Sequence, residues 1–547
     1  MEYNVIDGKG IIPDGATEIE DSIFLKRTDL QSIVIPNGVT KIGKFAFYGC
    51  TRLQSIIIHK SVTEIGEHAF SVCTGLQSIE IPDSVTEIGA YAFQGCTGLQ
   101  SIEIPGSVLH ISFGAFSDCT GLQSIVIPNT LTEIKGFNGC TGLQSIEIPD
   151  SVTEIGGYAF EGCTNLQSIE IPDSVTKIDD CAFKDCNSLQ SIVIPDSVEW
   201  MKGSAFSGCN SISSIIVSQN NPKYTSINNC ILTKNRKELL LCKNDSIPND
   251  VTEIGDSAFS GCSDLQSIVI PNSVKYIGDE AFSDCTNLQS IVIPNGVTKI
   301  GKFAFNRCTG LQSIIIPDRV EKIERSTFSG CTGLQSIVIP NSVKYIGDGA
   351  FSECTSLKSI VLPDSITRIG DRAFRGCTNL QSIIIPDSVK CIEPEWWEDY
   401  DQSYGAFWGC TGLKSIVLSN SMTKIDKGMF RSCTSLQSIE IPDSVTIIDN
   451  WAFNDCNSLQ SIEIPSTTRI KNDVFSHCDS LQSITIKTQD KTPSLSHKKI
   501  DSIIQALPKD LDNPEITLRV PIGCGYAYRH YPAFEGKFQK IIADIDA

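Results

Sequence analysis

Apolar residues return along this chain in one phrase, complete at residues 265–287 as LQSIVIPNSVKYIGDEAFSDCTN. Its leading Leu stands at 30, 53, 76, 99, 122, 143, 166 and 189, then at 265, 288, 311, 334, 357, 380, 413, 436, 459 and 481, and Ile212 fills the slot in one degenerate copy. A period of 23 residues kept over most of a chain predicts a solenoid, in which each repeat is one coil. A single coil cannot bury its apolar side alone, so it is stable only between neighbours. The fold class expected is therefore a β-rich solenoid with parallel strands on one face. Roughly 20 coils at ~4.8 Å per rung would give a rod or arc on the order of 95 Å long.

Within one coil the pattern names the elements. Ile268 and Ile270 share a face of a short strand, while Ser267 and Val269 point to the open side of the sheet. Pro271 ends the strand because it has no N–H to donate. Asn272-Ser273 turns the chain, and Val274 and Ile277 bring a second apolar pair inside. Gly278 offers freedom for a further bend. Ala281-Phe282 then inserts the one large ring, and Cys285 fills a small buried slot before the next Leu.

The departures from this pattern divide the chain. Residues 1–29 form a worn first coil with Arg27 at the Cys position and Asp7 and Gly10 at strand positions, as a polar N-terminal cap requires. The repeat then occupies 30–487, with a two-residue deletion near Lys135-Gly136 that should leave a local kink. It is broken by an irregular insert at 217–250, where CILT and LLLC suggest a β-hairpin and NNPKYTSINN reads as loop. A second, shorter insert falls at 393–403 and carries Trp396, Trp397 and Tyr400. Residues 488–547 are assigned to a C-terminal cap: a loop, a short helix with Ile500, Ile503, Ile504 and Leu507 on one face, the strand EITLRVP, and an aromatic tail.

The phrase L-x-S-I-x-I-P-[DN]-x-V-T-x-I-G-x-x-A-F-x-x-C resembles the BspA-type leucine-rich repeat, known from bacterial surface proteins and some parasitic protists, and it covers about nine-tenths of the chain. Phe and Cys stand where ordinary leucine-rich repeats carry an Asn ladder. The resemblance implies an adhesion or interaction protein, with a host or extracellular-matrix protein as the kind of partner and the cell surface as the place.

Charge and cysteine usage change this picture in part. The 44 basic and 64 acidic residues give a net charge of −20, which argues against nucleic acid and anionic membranes as partners. No stretch approaches 18 apolar residues, so no membrane insertion is expected. The start, MEYNVIDGKG, lacks the pattern of a secretory signal, and this favours the cytoplasm against the family's surface habit. Of the 23 Cys, 18 occupy one repeat position, which reads as a buried column of small thiols rather than a metal or disulfide framework. Ordered thiols in that number suit a reducing compartment. Cys181, Cys230, Cys242, Cys391 and Cys524 lie off the column and form no recognisable ligand spacing.

Nothing in the sequence predicts catalysis, a metal site or a cofactor. The six His are scattered, and there is no phosphate-binding glycine loop. Two classes of function remain: a non-enzymatic scaffold that binds a protein (more remotely, a glycan) along its strand face, and a structural spacer or assembly unit. The position between the two inward Ile of each strand bears on the choice. Early coils carry Val34, Ile57, Glu80, Glu103, Val126, Glu147 and Glu170 there, and late ones Glu440, Glu463 and Thr485. Between them Val193 and Ile216, and past the first insert Val269, Val292, Ile315, Val338, Val361, Ile384 and Val417, run without a charge. A strip of this kind with a polar border is a candidate protein-binding face, and Trp396, Trp397 and Tyr400 follow its Ile384 rung as candidate anchors. The bland alternatives are that β-branched residues simply suit a strand and that both insert tryptophans fold back over their own coil.

The cap assignment makes a first prediction. A chain ending at Lys487 should expose Leu481, Ile484 and Ile486 and self-associate through its open end, as light scattering would show. If that chain stays monomeric and as stable as the whole, residues 488–547 are not a cap.

Overall fold

The computed structural model describes residues 3–390, 392, 405–487, 517–519 and 540–542. It divides into two compact units, Met1–Ser263 and Asp264–Ala547. Each is a parallel β-solenoid with almost no helix, and together they hold about 20 turns of ~23 residues.

A coil carries two short strands. The first column holds strands such as Ser55–Ile58 and Ser313–Ile315 with alternating exposed and buried residues, and Ser313 pairs in parallel with Ser336 one coil on. The second column holds two-residue strands such as Glu64–Ile65 and Lys322–Ile323, with the Ile buried. The repeat's Leu, both first-strand Ile, the Val and Ile of the return, and the Phe and Cys fill the interior, as at Leu311, Ile314, Ile316, Val320, Ile323, Phe328 and Cys331. Their alternation follows from the pleat, which sends successive side chains to opposite faces.

The bend differs from the expectation placed on Gly278. That glycine is not left-handed; the left-handed residues of its coil are Glu280 (φ 55°) and Asp284 (φ 57°). The same two corners recur at His68 (φ 54°) and Val72 (φ 62°). The repeat glycine answers a different need, close approach of the preceding coil. A Cβ on Gly66 would lie 2.8 Å from the Ile42 carbonyl oxygen, and one on Gly301 2.5 Å from the carbonyl carbon of Gly278. Non-glycine residues in the left-handed region cost about 1–2 kcal/mol each, and a ladder offsets that cost. The N–H groups of His68, Phe70 and Val72 donate to the carbonyls of Ala90, Ala92 and Gln94 in the next coil, at 2.9, 2.7 and 2.6 Å.

The Phe rings stack along each unit. From Phe24 to Phe47 to Phe70 the centroids are 5.2 and 5.1 Å apart with planes within 5° of parallel; Phe282 and Phe305 lie 5.3 Å apart. Beside them column thiols donate to a Phe carbonyl of the preceding coil, as Cys73 to Phe47 and Cys354 to Phe328 at 3.1 and 3.2 Å, whereas the Cys262 sulfur lies against the Cys242 carbonyl. Apart from Cys262 the column is therefore buried, as its composition suggests, but it is also a row of donors.

The departures have physical reasons. Residues 4–11 form an antiparallel hairpin, Asn4–Ile6 with Lys9–Ile11, turned by Asp7 (φ 48°) and Gly8 (φ 77°). Asp-Gly is the strongest short hairpin signal, and it was open to reading in IDGK. Gly10 is not a lost apolar residue: a Cβ there would meet the Ile33 side chain at 2.4 Å. Near the deletion the second-column ladder stops at Ile111 and resumes at Glu133, while the bend ladder continues from the Phe116 N–H to the Gly136 carbonyl at 2.8 Å.

In the first insert CILT and LLLC do pair antiparallel. The segment before them is not all loop, since Tyr224–Ile227 adds a third strand through a turn at Asn228 (φ 49°) and Asn229 (φ 59°). After Ser483–Lys487, strands Thr517–Arg519 and Lys540–Ile542 extend that ladder in parallel. The helix expected from Ile500 lies outside the described residues.

Burial pushes the Cys50, Cys163, Cys331, Cys410 and Cys478 thiols up to about 12 from an ordinary 9.0. Between those values the folded chain holds protons that the unfolded chain releases, so stability is full below about pH 9 and falls as pH rises toward 12. Each such thiol steepens the fall by about 1.4 kcal/mol per pH unit. Urea unfolding followed by circular dichroism should show a flat profile from about pH 7 to 8.5 and a steep loss above about pH 9. Unchanged stability at about pH 11 would contradict the thiol column's role.

Candidate functional site

The first column of the second unit brings the uncharged rungs together. Val269 pairs with Val292, Ile315 with Val338 and Ile384 with Val417; Val361 lies between these pairs, with its coil bridged through Ser359 to Ser382. All seven side chains face solvent, from 57% exposed at Val417 to 81% at Val361. Burial patterns of exposed, buried, exposed at Ser267–Val269 and Ser313–Ile315 set an exposed Ser beside each rung. Gln266, Gln289, Gln312 and Gln335 are exposed along the border, and their backbones bond from coil to coil, as the Gln289 N–H does to the Gln266 carbonyl at 2.9 Å.

The same column carries charge in other coils without losing its register. Glu440 pairs with Glu463 across adjacent strands, and Glu103 pairs with Val126. The backbone thus accepts either kind of side chain at this position. The absence of charge from Val269 to Val417 is a property of those coils and not of the fold. Trp396, Trp397 and Tyr400 lie outside the described residues.

Other groups recur without forming a reaction centre. Among the described residues no group of three or more His, Cys, Asp or Glu is placed to hold a metal ion, and no helix is long and apolar enough to cross a membrane. In the first unit Phe45, His68 and Tyr91 stack with centroids 4.8 and 4.9 Å apart, and Phe113 meets Tyr91 edge-on. A sugar-binding ring must offer a free face. Here His68 has a ring against each face, so this row suits packing better than glycan contact.

Cys230 and Cys242 were missed by sequence reasoning. They face each other across the antiparallel pair in the insert and are joined by a disulfide. The signal was present as a Cys at one end of each hairpin arm, but spacing alone does not show register. Cys391 and Cys524 lie outside the described residues. Cys262, although in the column, is only partly buried and lies with its sulfur 3.6 Å from the Lys243 Nζ.

Comparison with known proteins agrees with this architecture. The BspA type leucine rich repeat region is matched over residues 17–136, 133–244, 237–344, 321–404 and 401–494. The chain belongs to the BspA-type leucine-rich repeat family. Proteins of this family are in general interaction or adhesion scaffolds, typically without catalytic activity. Among solved structures, it is similar to a leucine-rich repeat protein from Bacteroides ovatus at 24% identity, over 86% of this chain and 88% of that one, with a TM-score of 0.31. It is also similar to a leucine rich cell surface protein from Faecalibacterium prausnitzii at 22% identity, over 89% and 85%, with a TM-score of 0.25. The leucine rich repeat protein of T. pallidum is 30% identical over 38% of this chain and 86% of that one, with a TM-score of 0.26. Comparison with curated proteins gives no match.

The thiols should react in an order set by exposure and charge. Cys262, beside an ammonium group, should take iodoacetamide first. Cys181 is half-buried, with its thiol pushed up to about 12 by burial and by Asp180, and should follow slowly. Column thiols such as Cys96 and Cys354, held well above the ordinary value by burial, should react only on unfolding. Peptide mass spectrometry after timed labelling reads the order, and early labelling of Cys96 or Cys354 would contradict it.

Proposed function

We propose that this BspA-type solenoid is a non-enzymatic scaffold that binds a protein along the first strand column of its second unit. The exposed, uncharged run from Val269 to Val417 carries this reading. Seven rungs at ~4.8 Å make an apolar strip on the order of 30 Å long. Flanking Ser and Gln side chains give it the polar border usual for a protein-binding face. The strip costs solubility if it has no partner, since its side chains are apolar area left in water. Trp396, Trp397 and Tyr400 follow the Ile384 rung in sequence and are assigned to the same surface as anchors, because Trp and Tyr dominate binding hot spots. A host or extracellular-matrix protein is the partner class that the family suggests. Residues 1–29 and 488–547 are assigned to the two caps, with the inserts at 217–250 and 393–403 within the solenoid.

Replacing Ile315, Val338 and Val361 together with Glu tests the reading. The variant should fold, since Glu occupies this position at Glu80 and Glu103. Partners recovered by pull-down with the wild type should bind it at least about tenfold more weakly, or ~1.4 kcal/mol. If every such partner binds the folded variant as tightly as the wild type, the strip is strand filler and the spacer reading stands.

A further inference from the structure

The uncharged rungs repeat at the distance of a ladder, and this limits what can cover them. From Val269 to Val417 they follow one another coil by coil, in parallel register at Val269–Val292, Ile315–Val338 and Ile384–Val417. Rungs of a sheet stand ~4.8 Å apart. A helix laid along them offers one residue per turn, about every 5.4 Å, and falls most of a rung out of step over the seven. An extended strand laid along them presents one face every ~6.8 Å. Another stack of coils repeats at the same distance and stays in step from end to end.

The strip is also large enough to hold such a stack. Its side chains are 57–81% exposed. At ~100 Å² for a Val or Ile side chain, that leaves on the order of 500 Å² of apolar surface in water on each copy. Contiguous apolar patches beyond a few hundred Å² are rare on soluble monomers and mark interaction sites. Two strips face to face would cover about 1,000 Å² before the Ser and Gln borders are counted, the size at which a specific interface begins.

We infer that a second copy of this chain covers the strip, rung against rung about a two-fold axis. This rests on the reading of the strip as a protein-binding face, and it names the protein. The contact uses one patch on both copies, so it is isologous and closes as a dimer. Charge decides its direction. Glu440 stands on the same face one coil past Val417, and Lys487 pairs with Glu463 at 2.7 Å and not with Glu440. With both stacks running the same way, Glu440 would face its own copy, and like charges so opposed repel. With the stacks running oppositely, Val269 faces Val417, Val338 lies at the axis, and Glu440 passes beyond the Val269 rung. The exposed border agrees. Lys358 then meets Gln312 and Lys414 meets Gln266, so each ammonium finds an amide oxygen rather than another ammonium. Asp318 and Asp364 stand in the turns past Pro317 and Pro363, off the strands. Strand directions in the two sheets stay aligned, a common way for sheets to pack face to face.

Sedimentation equilibrium of the full chain tests the inference. The wild type should reach twice the monomer mass at micromolar concentration and keep it at about 0.5 M NaCl, since salt does not screen an apolar contact. The variant Ile315→Glu/Val338→Glu/Val361→Glu should stay monomeric. If it fails to fold, Ile315→Thr/Val338→Thr/Val361→Thr serves, since Thr485 holds the same position, and it should weaken the dimer at least about tenfold. Cross-linking with a short bismaleimide reads the direction, with the wild type as the control for Cys262. Val338→Cys should give a linked dimer, Val269→Cys none by itself, and Val269→Cys mixed with Val417→Cys a linked pair. A wild type that stays monomeric overturns the inference, as does a dimer that survives the Glu variant or one that Val269→Cys links to itself. If the wild type is monomeric while pulled-down partners still weaken with the Glu variant, the strip serves another protein and only the second copy falls. If the Glu variant dissolves the dimer and affects no pulled-down partner, the second copy is the strip's protein and the inference stands.

Discussion

Each coil leaves backbone N–H and C=O groups pointing along the stack, and the next coil must satisfy them. This requirement governs the molecule. On the strand side the bonds run backward, as from the Gly66 N–H to the Ile42 carbonyl at 2.8 Å, and at the bend they run forward, as from Phe47 to Ala69 at 2.8 Å. Unpaired buried backbone groups are costly, so a coil holds its shape only between neighbours of the same shape. Nearly constant length and recurring corner positions follow. Side-chain ladders complete the pairing: Ser107 donates to the Val85 carbonyl and Ser365 to that of Val343, both at 2.7 Å.

The Phe and Cys columns belong to the same economy. A Phe carbonyl such as that of Phe47 accepts the Cys50 N–H of its own coil at 3.1 Å and the Cys73 thiol of the next at 3.1 Å. Ala would fill the slot but give the carbonyl no second donor, and Ser would bury a strongly polar group. A thiol is a weak donor with apolar bulk, and it suits both demands. Burial raises the thiol further, so the donor persists into alkaline pH. Two left-handed corners per coil are tolerated because their N–H groups enter the forward ladder.

The candidate sites were legible to different degrees for physical reasons. The apolar strip could be read because one face of a strand is set by the two-residue pleat, and each rung can be compared with Glu80 or Glu440 at the same repeat position. The Cys230–Cys242 bond depends on an antiparallel register that the repeat does not predict.

Period and pattern alone determined the coil, its inward residues, its family and the uncharged run from Val269 to Val417, because a fixed repeat with two-residue alternation leaves little freedom in which side chains are buried. The sequence also held the hairpin at Asp7-Gly8. Tertiary structure decided what local pattern does not contain. It moved the left-handed corner from Gly278 to Glu280, gave the glycine position its reason in the backbone of the preceding coil, and made donors of the thiols. These depend on atoms 20 or more residues away brought within hydrogen-bond or van der Waals reach. No window shorter than two coils can show them.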